Sequence, residues 1–181
     1  MKTTLNAIRA HALCADGLKK LLGNLGKSAA DDEPISLLTI LDSNGLDDAM
    51  RCLRAVTGHD KEIRLFAVWC ARQVQHLMTD PRSINALDTA EMFANETATA
   101  EELAAAWDAA WDAAWDADGA AARAAARAAA MAAARDAAWA ADGAAAWAAA
   151  GASSWAAAWD AARDAQKERF RELIKETGME A

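Results

Sequence analysis

Apolar residues recur along most of this chain at helical rather than strand spacing, so the pattern predicts an all-α fold. The clearest case is the stretch from His59 to Met78. At about 100° per residue, Ile63, Phe66, Ala67, Cys70, Val74 and Leu77 fall on one face. Leu65, Val68 and Trp69 lie on the other side among Arg64, Arg72 and His76, which predicts a helix covered on two sides. A weaker helical pattern runs from Thr4 to Leu22, and Pro34 opens an apolar stretch from Ile35 to Leu41. Ser43-Asn44-Gly45 predicts a break and cap before a helix from Leu46 to Val56, with Gly58 placed to stop it. Asp80-Pro81 predicts a capped helix start with proline in the first helical position, running through Phe93.

The pattern changes near Thr99, and the composition divides the chain into a mixed-sequence helical domain, 1–98, and an Ala/Trp-rich helical region, 99–181. Thr99 and Glu102 have capping-box spacing. Beyond them the large residues step by four: Trp107, Trp111, Trp115, Gly119, Arg123, Arg127, Met131, Arg135, Trp139, Gly143, Trp147, Gly151, Trp155 and Trp159 share one register, with alanine at most positions between. Four residues overshoot a helical turn by about 40°, so this stripe winds around a continuous helix instead of staying on one face. An unbroken helix from Thr99 to Thr177 would be on the order of 115 Å long, against a radius of gyration of roughly 16 Å for a compact chain of this size. Breaks are therefore expected near Asp118-Gly119, Asp142-Gly143 or Gly151. The last segment carries acid-before-base pairs such as Asp164 with Lys167, which predicts a solvated helix docked by Phe170, Leu173 and Ile174.

Composition narrows the classes of function. The 181 residues carry a net charge of −8, which opposes binding to nucleic acid because that affinity rests on Lys and Arg displacing counterions. The alanine tract holds Asp, Arg or Gly every few residues, so no membrane span is expected. Cys14, Cys52 and Cys70 form an odd set without paired spacing, and the amino-terminal stretch lacks a signal-like apolar run; together they predict a cytoplasmic protein with reduced thiols. No phosphate-binding Gly-rich loop, nucleophile elbow or zinc-hydrolase signature occurs, so neither an enzyme nor a cofactor is expected. His11-xx-Cys14 has metal-compatible spacing, but Cys70 and His76 lie about 120° apart on a helix and do not complete a zinc site.

The candidate ligand-binding residues are Arg64, Trp69, Arg72, Gln73 and His76, because cationic and amide groups on a helix with two apolar sides need buried partners or a ligand. Two readings stand side by side. Either Arg64 and Arg72 pair with acids such as Asp31, Asp32, Glu33, Asp47 or Asp48, or the set receives an anionic or planar ligand. The tryptophan ladder reads as core or subunit packing: the carboxylates Asp108, Asp112 and Asp116 that follow three of the indoles would repel a phosphate. A tract only a few helices thick cannot cover every indole, which predicts a homo-oligomer.

The stretches IRAHALCADGLKKLL with ADDEPISLLTILDSNGLDDAMRCLRAV, and GHDKEIRLFAVWCARQVQHLMTDPRSINAL, resemble a family of phage and prophage immunity proteins that is similar to the fifth immunity-protein class of bacterial polymorphic toxin systems. The likeness covers about residues 8–103. It implies an all-α fold and a non-enzymatic role in neutralising a toxin or a host defence component, and it assigns no residue a role. Three functions follow as expectations: an inhibitor that binds a protein effector, an oligomeric sponge for a nucleotide-derived immune signal, or a structural assembly module.

Overall fold

The computed structural model describes residues 1–11, 14–118, 120–133 and 155–179. It is an all-α fold with one small two-stranded sheet, and it divides into two compact units: residues 1–59 with 170–181, and residues 60–169. The compositional boundary at Thr99 falls inside the second unit. The reason is packing: helices on either side of Thr99 bury their apolar faces against one another, so the change in composition does not interrupt the core.

In the first unit, strand β1 (Lys2–Thr4) pairs antiparallel with β2 (Pro34–Ser36), Thr3 opposite Ile35. Neither strand was expected. Three residues are too few to display alternation, and Ile35 reads as the start of the apolar run that follows. Each strand turns inward only once, at Thr3 and Ile35, and the Thr3 hydroxyl donates to the Ala55 carbonyl at 2.6 Å. The expected helix 4–22 is two helices, α1 (Leu5–His11) and α2 (Ala15–Asn24), the second capped by the Cys14 thiol, which accepts from the Gly17 amide. Ser36 caps α3 (Leu37–Asn44), and Gly45, at φ +97°, ends it in a backbone conformation that L side chains rarely adopt. Helix α4 (Leu46–Cys52) then passes into a 3₁₀ turn, Leu53–Ala55. Asn44 links three elements, donating to the Gly17 carbonyl at 2.8 Å and to the Asp48 carboxylate at 2.7 Å.

The second unit begins with α5 (Asp60–Arg72), which ends six residues before the periodicity predicts. After Arg72 the amides of Gln73 and Val74 bond to carbonyls three residues back, and Gln75–Leu77 is a 3₁₀ turn. A 3₁₀ turn keeps residues i and i+3 on one side, so Val74 and Leu77 imitate a continuing helical face. Helix α6 (Pro81–Ala94) starts as expected, Asp80 accepting from the Arg82 amide at 2.8 Å with Pro81 in the first turn. Helix α7 (Ala100–Asp116) carries the expected capping box at Thr99 and Glu102. It stops before Asp118, and α8 (Ala120–Ala133) follows, so the first of the three expected breaks is present. Asp142-Gly143 and Gly151 lie outside the described residues. Helix α9 (Trp155–Met179) supplies residues 155–169 to the second unit and the remainder to the first, where Phe170, Leu173 and Ile174 are buried. Among the described residues no helix is long and apolar enough to cross a membrane.

Candidate partner-binding surface

Helix α5 carries Arg64, Trp69 and Arg72 of the predicted ligand-binding residues, and the turn after it carries Gln73 and His76. Arg64 is half-buried: its guanidinium donates to the Ala133 carbonyl of α8 and lies 5.0 Å from the centroid of the Phe93 ring. Desolvation lowers its pKa from the ordinary arginine value, and the cation–π contact and the carbonyl compensate for part of the lost hydration. Arg72 donates to Gln75, at 3.0 Å, and to the carboxylates of Asp88 and Glu91 on α6, at 3.0 and 2.6 Å. Arg72 thus pairs with acids, but with those of the adjacent helix rather than with the amino-terminal acids expected. Asp31 and Glu33 instead hold Lys27, each at 2.6 Å.

Trp69 is half-buried and stacked on Phe66, with centroids 6.3 Å apart and planes 13° apart. Gln73 is exposed just past the end of α5, and its side-chain amide donates to the Trp69 carbonyl at 3.1 Å. His76 is exposed and lies beyond the end of α5, on the 3₁₀ turn. Of the five predicted residues only Trp69 and Gln73 meet directly, through that bond to a backbone carbonyl; Arg72 meets Gln75, which was not among them. Cys70 is fully buried while His76 is exposed, and among the described residues no three His, Cys, Asp or Glu side chains gather to hold a metal ion. Burial pushes the thiol of Cys52 up to about 12 and that of Cys70 higher still, so both stay protonated.

The surface features of the second unit lie on α6 and α7. Between Arg82 and Arg123 the chain contains nine carboxylates and no lysine, arginine or histidine. Arg82 itself is held by Asp80 and Asp116, both at 2.7 Å, and these hydrogen bonds raise its pKa. On α7, Glu101, Asp108 and Asp112 project from the exposed side, as the spacing i, i+7, i+11 requires. The tryptophans drift around the same helix: Trp111 rests against Ala86, Ala106, Ala110 and Ala130, while Trp107 is 37% and Trp115 71% exposed. Trp107 meets Trp111 edge-on at 6.3 Å, and the Arg127 guanidinium lies 6.0 Å from the centroid of the Trp115 ring.

A groove of about 430 Å³ runs between α6 and α7, lined by Asn85, Thr89 and Met92 on one side and Ala98, Glu102, Ala105, Ala106 and Ala109 on the other. Asn85, Thr89 and Met92 share a face by their i, i+4, i+7 spacing, opposite the buried Ser83, Ala86, Leu87 and Ala90. Met92 is 47% exposed. The groove carries no cation and no aromatic side chain that would mark it in the sequence as a binding site. The run of residues without a cation was the signal available. No family model, curated protein or solved structure matches the chain.

Proposed function

We propose that this chain is a non-catalytic, phage-type immunity or anti-defence protein that neutralises a toxin or host defence component in the cytoplasm by binding it. The observation that carries this reading is the acidic exposed side of α7, where Glu101, Asp108 and Asp112 stand together on a helical hairpin. A surface of one sign raises the association rate with a basic effector and discriminates against acidic ones. The likeness of residues 8–103 to phage immunity proteins supports the same role, and three free cysteines suit a reducing compartment.

The test is survival of cells that express toxin or defence genes together with this chain. Asp108→Lys with Asp112→Lys should lower protection by at least about tenfold while leaving the melting temperature in place, since both side chains are exposed. Full protection by that folded variant would overturn the reading.

The exposure of Trp115 and Trp107 favours an added feature, self-association through the alanine-rich helices. Light scattering after size exclusion should give a multiple of 19.1 kDa that falls to the monomer in Trp111→Ala with Trp115→Ala. A monomeric mass for the unmodified chain across micromolar concentrations rules it out.

A further inference from the structure

From the groove between α6 and α7 we infer that this hairpin receives a Lys/Arg-rich amphipathic helix of the neutralised effector, seated with an apolar side chain against Met92, Ala105 and Ala109. The inference rests on the neutralisation reading and names the part of the partner that is recognised. Two strips line the trough, Asn85, Thr89 and Met92 along α6 and Glu102, Ala105, Ala106 and Ala109 along α7, each with the three- and four-residue spacing of a helix ridge. A third helix laid along two such strips can set its own ridge of side chains between them. Alanine permits close approach of backbones, and methionine is the side chain that best adapts to an incoming apolar surface.

Charge selects the occupant. The trough contains Glu102 and no cation; of the nine carboxylates between Arg82 and Arg123, Asp88 and Glu91 hold Arg72 and Asp116 holds Arg82, while Glu101, Asp108 and Asp112 stand exposed on α7. An anionic ligand or a nucleic-acid backbone would meet only repulsion there, whereas lysines or arginines flanking an apolar anchor would find carboxylates along the exposed side of α7. The groove is also distinct from the indole face. At about 100° per residue, Glu102, Ala105, Ala106 and Ala109 lie on the opposite flank of α7 from Trp107, Trp111 and Trp115. Self-association through the indoles therefore leaves the groove open.

Fluorescence anisotropy with a labelled synthetic helix, leucine on one face and lysine on the other, tests the inference on the full chain. The expected result is saturable binding that weakens at least about tenfold when each leucine of the probe is replaced by serine at constant charge. The same loss is expected when the groove is filled by Ala105→Trp or made cationic by Met92→Lys; both positions are exposed, and circular dichroism melts should show both variants folded. Equal binding of the serine probe, unchanged affinity in the two folded variants, or no binding at all would overturn the groove. So would a mass by light scattering that drops to 19.1 kDa on Ala105→Trp, because the occupant would then be a second copy of the chain. The two failures separate cleanly. A chain that protects cells but ignores the probe loses the groove and keeps neutralisation; one that binds the probe at the groove but protects nothing loses neutralisation and keeps the groove.

Discussion

In the first unit the deepest positions belong to Leu5, Ile8, Leu21, Leu37, Ile40 and Phe170, whereas every fully buried residue described in α7 and α8 is alanine. The two interiors gain their stability differently. A buried leucine or phenylalanine removes a large apolar surface from water, about 1.5 to 3 kcal/mol each, and fixes its rotamer in doing so. Alanine removes little surface but surrenders no side-chain entropy, and it has the highest helix propensity. An alanine interior depends on helix backbones lying close together, with α5 and α6 contributing the few large side chains, Ile63, Phe66 and Leu87. The first kind of core is sensitive to lost volume and the second to added volume.

Truncation in the first unit should have the largest effect. Phe170 is wholly buried, so Phe170→Ala is expected to cost about 3 to 5 kcal/mol in urea unfolding. A cost below 1 kcal/mol would show that the first unit does not depend on its large side chains and would erase the contrast. Enlargement in the second unit comes next. Ala110→Leu places three extra carbons against Ala86, Ala106 and Ala130 and should destabilise by about 1 to 3 kcal/mol, measured in the same way. A neutral result would mean that the alanine core holds spare room.

The edges of the second unit give smaller effects. Asp80 caps α6 and pairs with Arg82, and these hydrogen bonds hold its carboxyl below the ordinary value of 3.8. A depressed carboxylate contributes stability that is present above the unfolded value and is lost as pH falls through the lower folded one. Asp80→Ala should therefore cost about 1 kcal/mol at neutral pH, mainly through the cap, and the gap to the parent should close in melts taken progressively below pH 3.8. A gap independent of pH would remove the carboxylate from the account. The smallest change is Arg72→Ala. Its carboxylate partners, Asp88 and Glu91, are 54% and 46% exposed, so the loss should stay within about 0 to 1 kcal/mol, and protective activity should survive. If activity vanishes in a folded Arg72→Ala protein, the arginine serves a ligand after all.

Much of this architecture is written in short-range signals. Asp80-Pro81, Thr99 with Glu102, and Ser43-Asn44-Gly45 act through hydrogen bonds and backbone angles within a few residues, and each marks the helix end it predicts. The four-residue step predicted indoles drifting around the helix, and Trp107 and Trp115 are exposed while Trp111 is half-buried. The end of α5 was not legible, because a 3₁₀ turn repeats the inward spacing of Val74 and Leu77. The candidate site was less legible than the fold. Arg64, Trp69, Arg72, Gln73 and His76 are close in sequence, yet only Trp69 and Gln73 meet, through a backbone carbonyl, and the rest find separate surroundings.

The sequence by itself determined that the chain is helical, where several helices start and stop, and that it carries a net charge of −8, which opposes a phosphate backbone. These properties follow from propensity, capping and net charge, which are local or additive. Only the tertiary structure decided that residues 60–98 share a core with the alanine-rich helices and that residues 170–181 return to the first unit. It alone assigned Arg72 to Asp88 and Glu91 and opened the groove beside Met92. Those outcomes depend on which faces meet across long stretches of chain. For a sequence this rich in alanine many faces are nearly alike, so the meeting is settled by the sparse large and charged residues acting together.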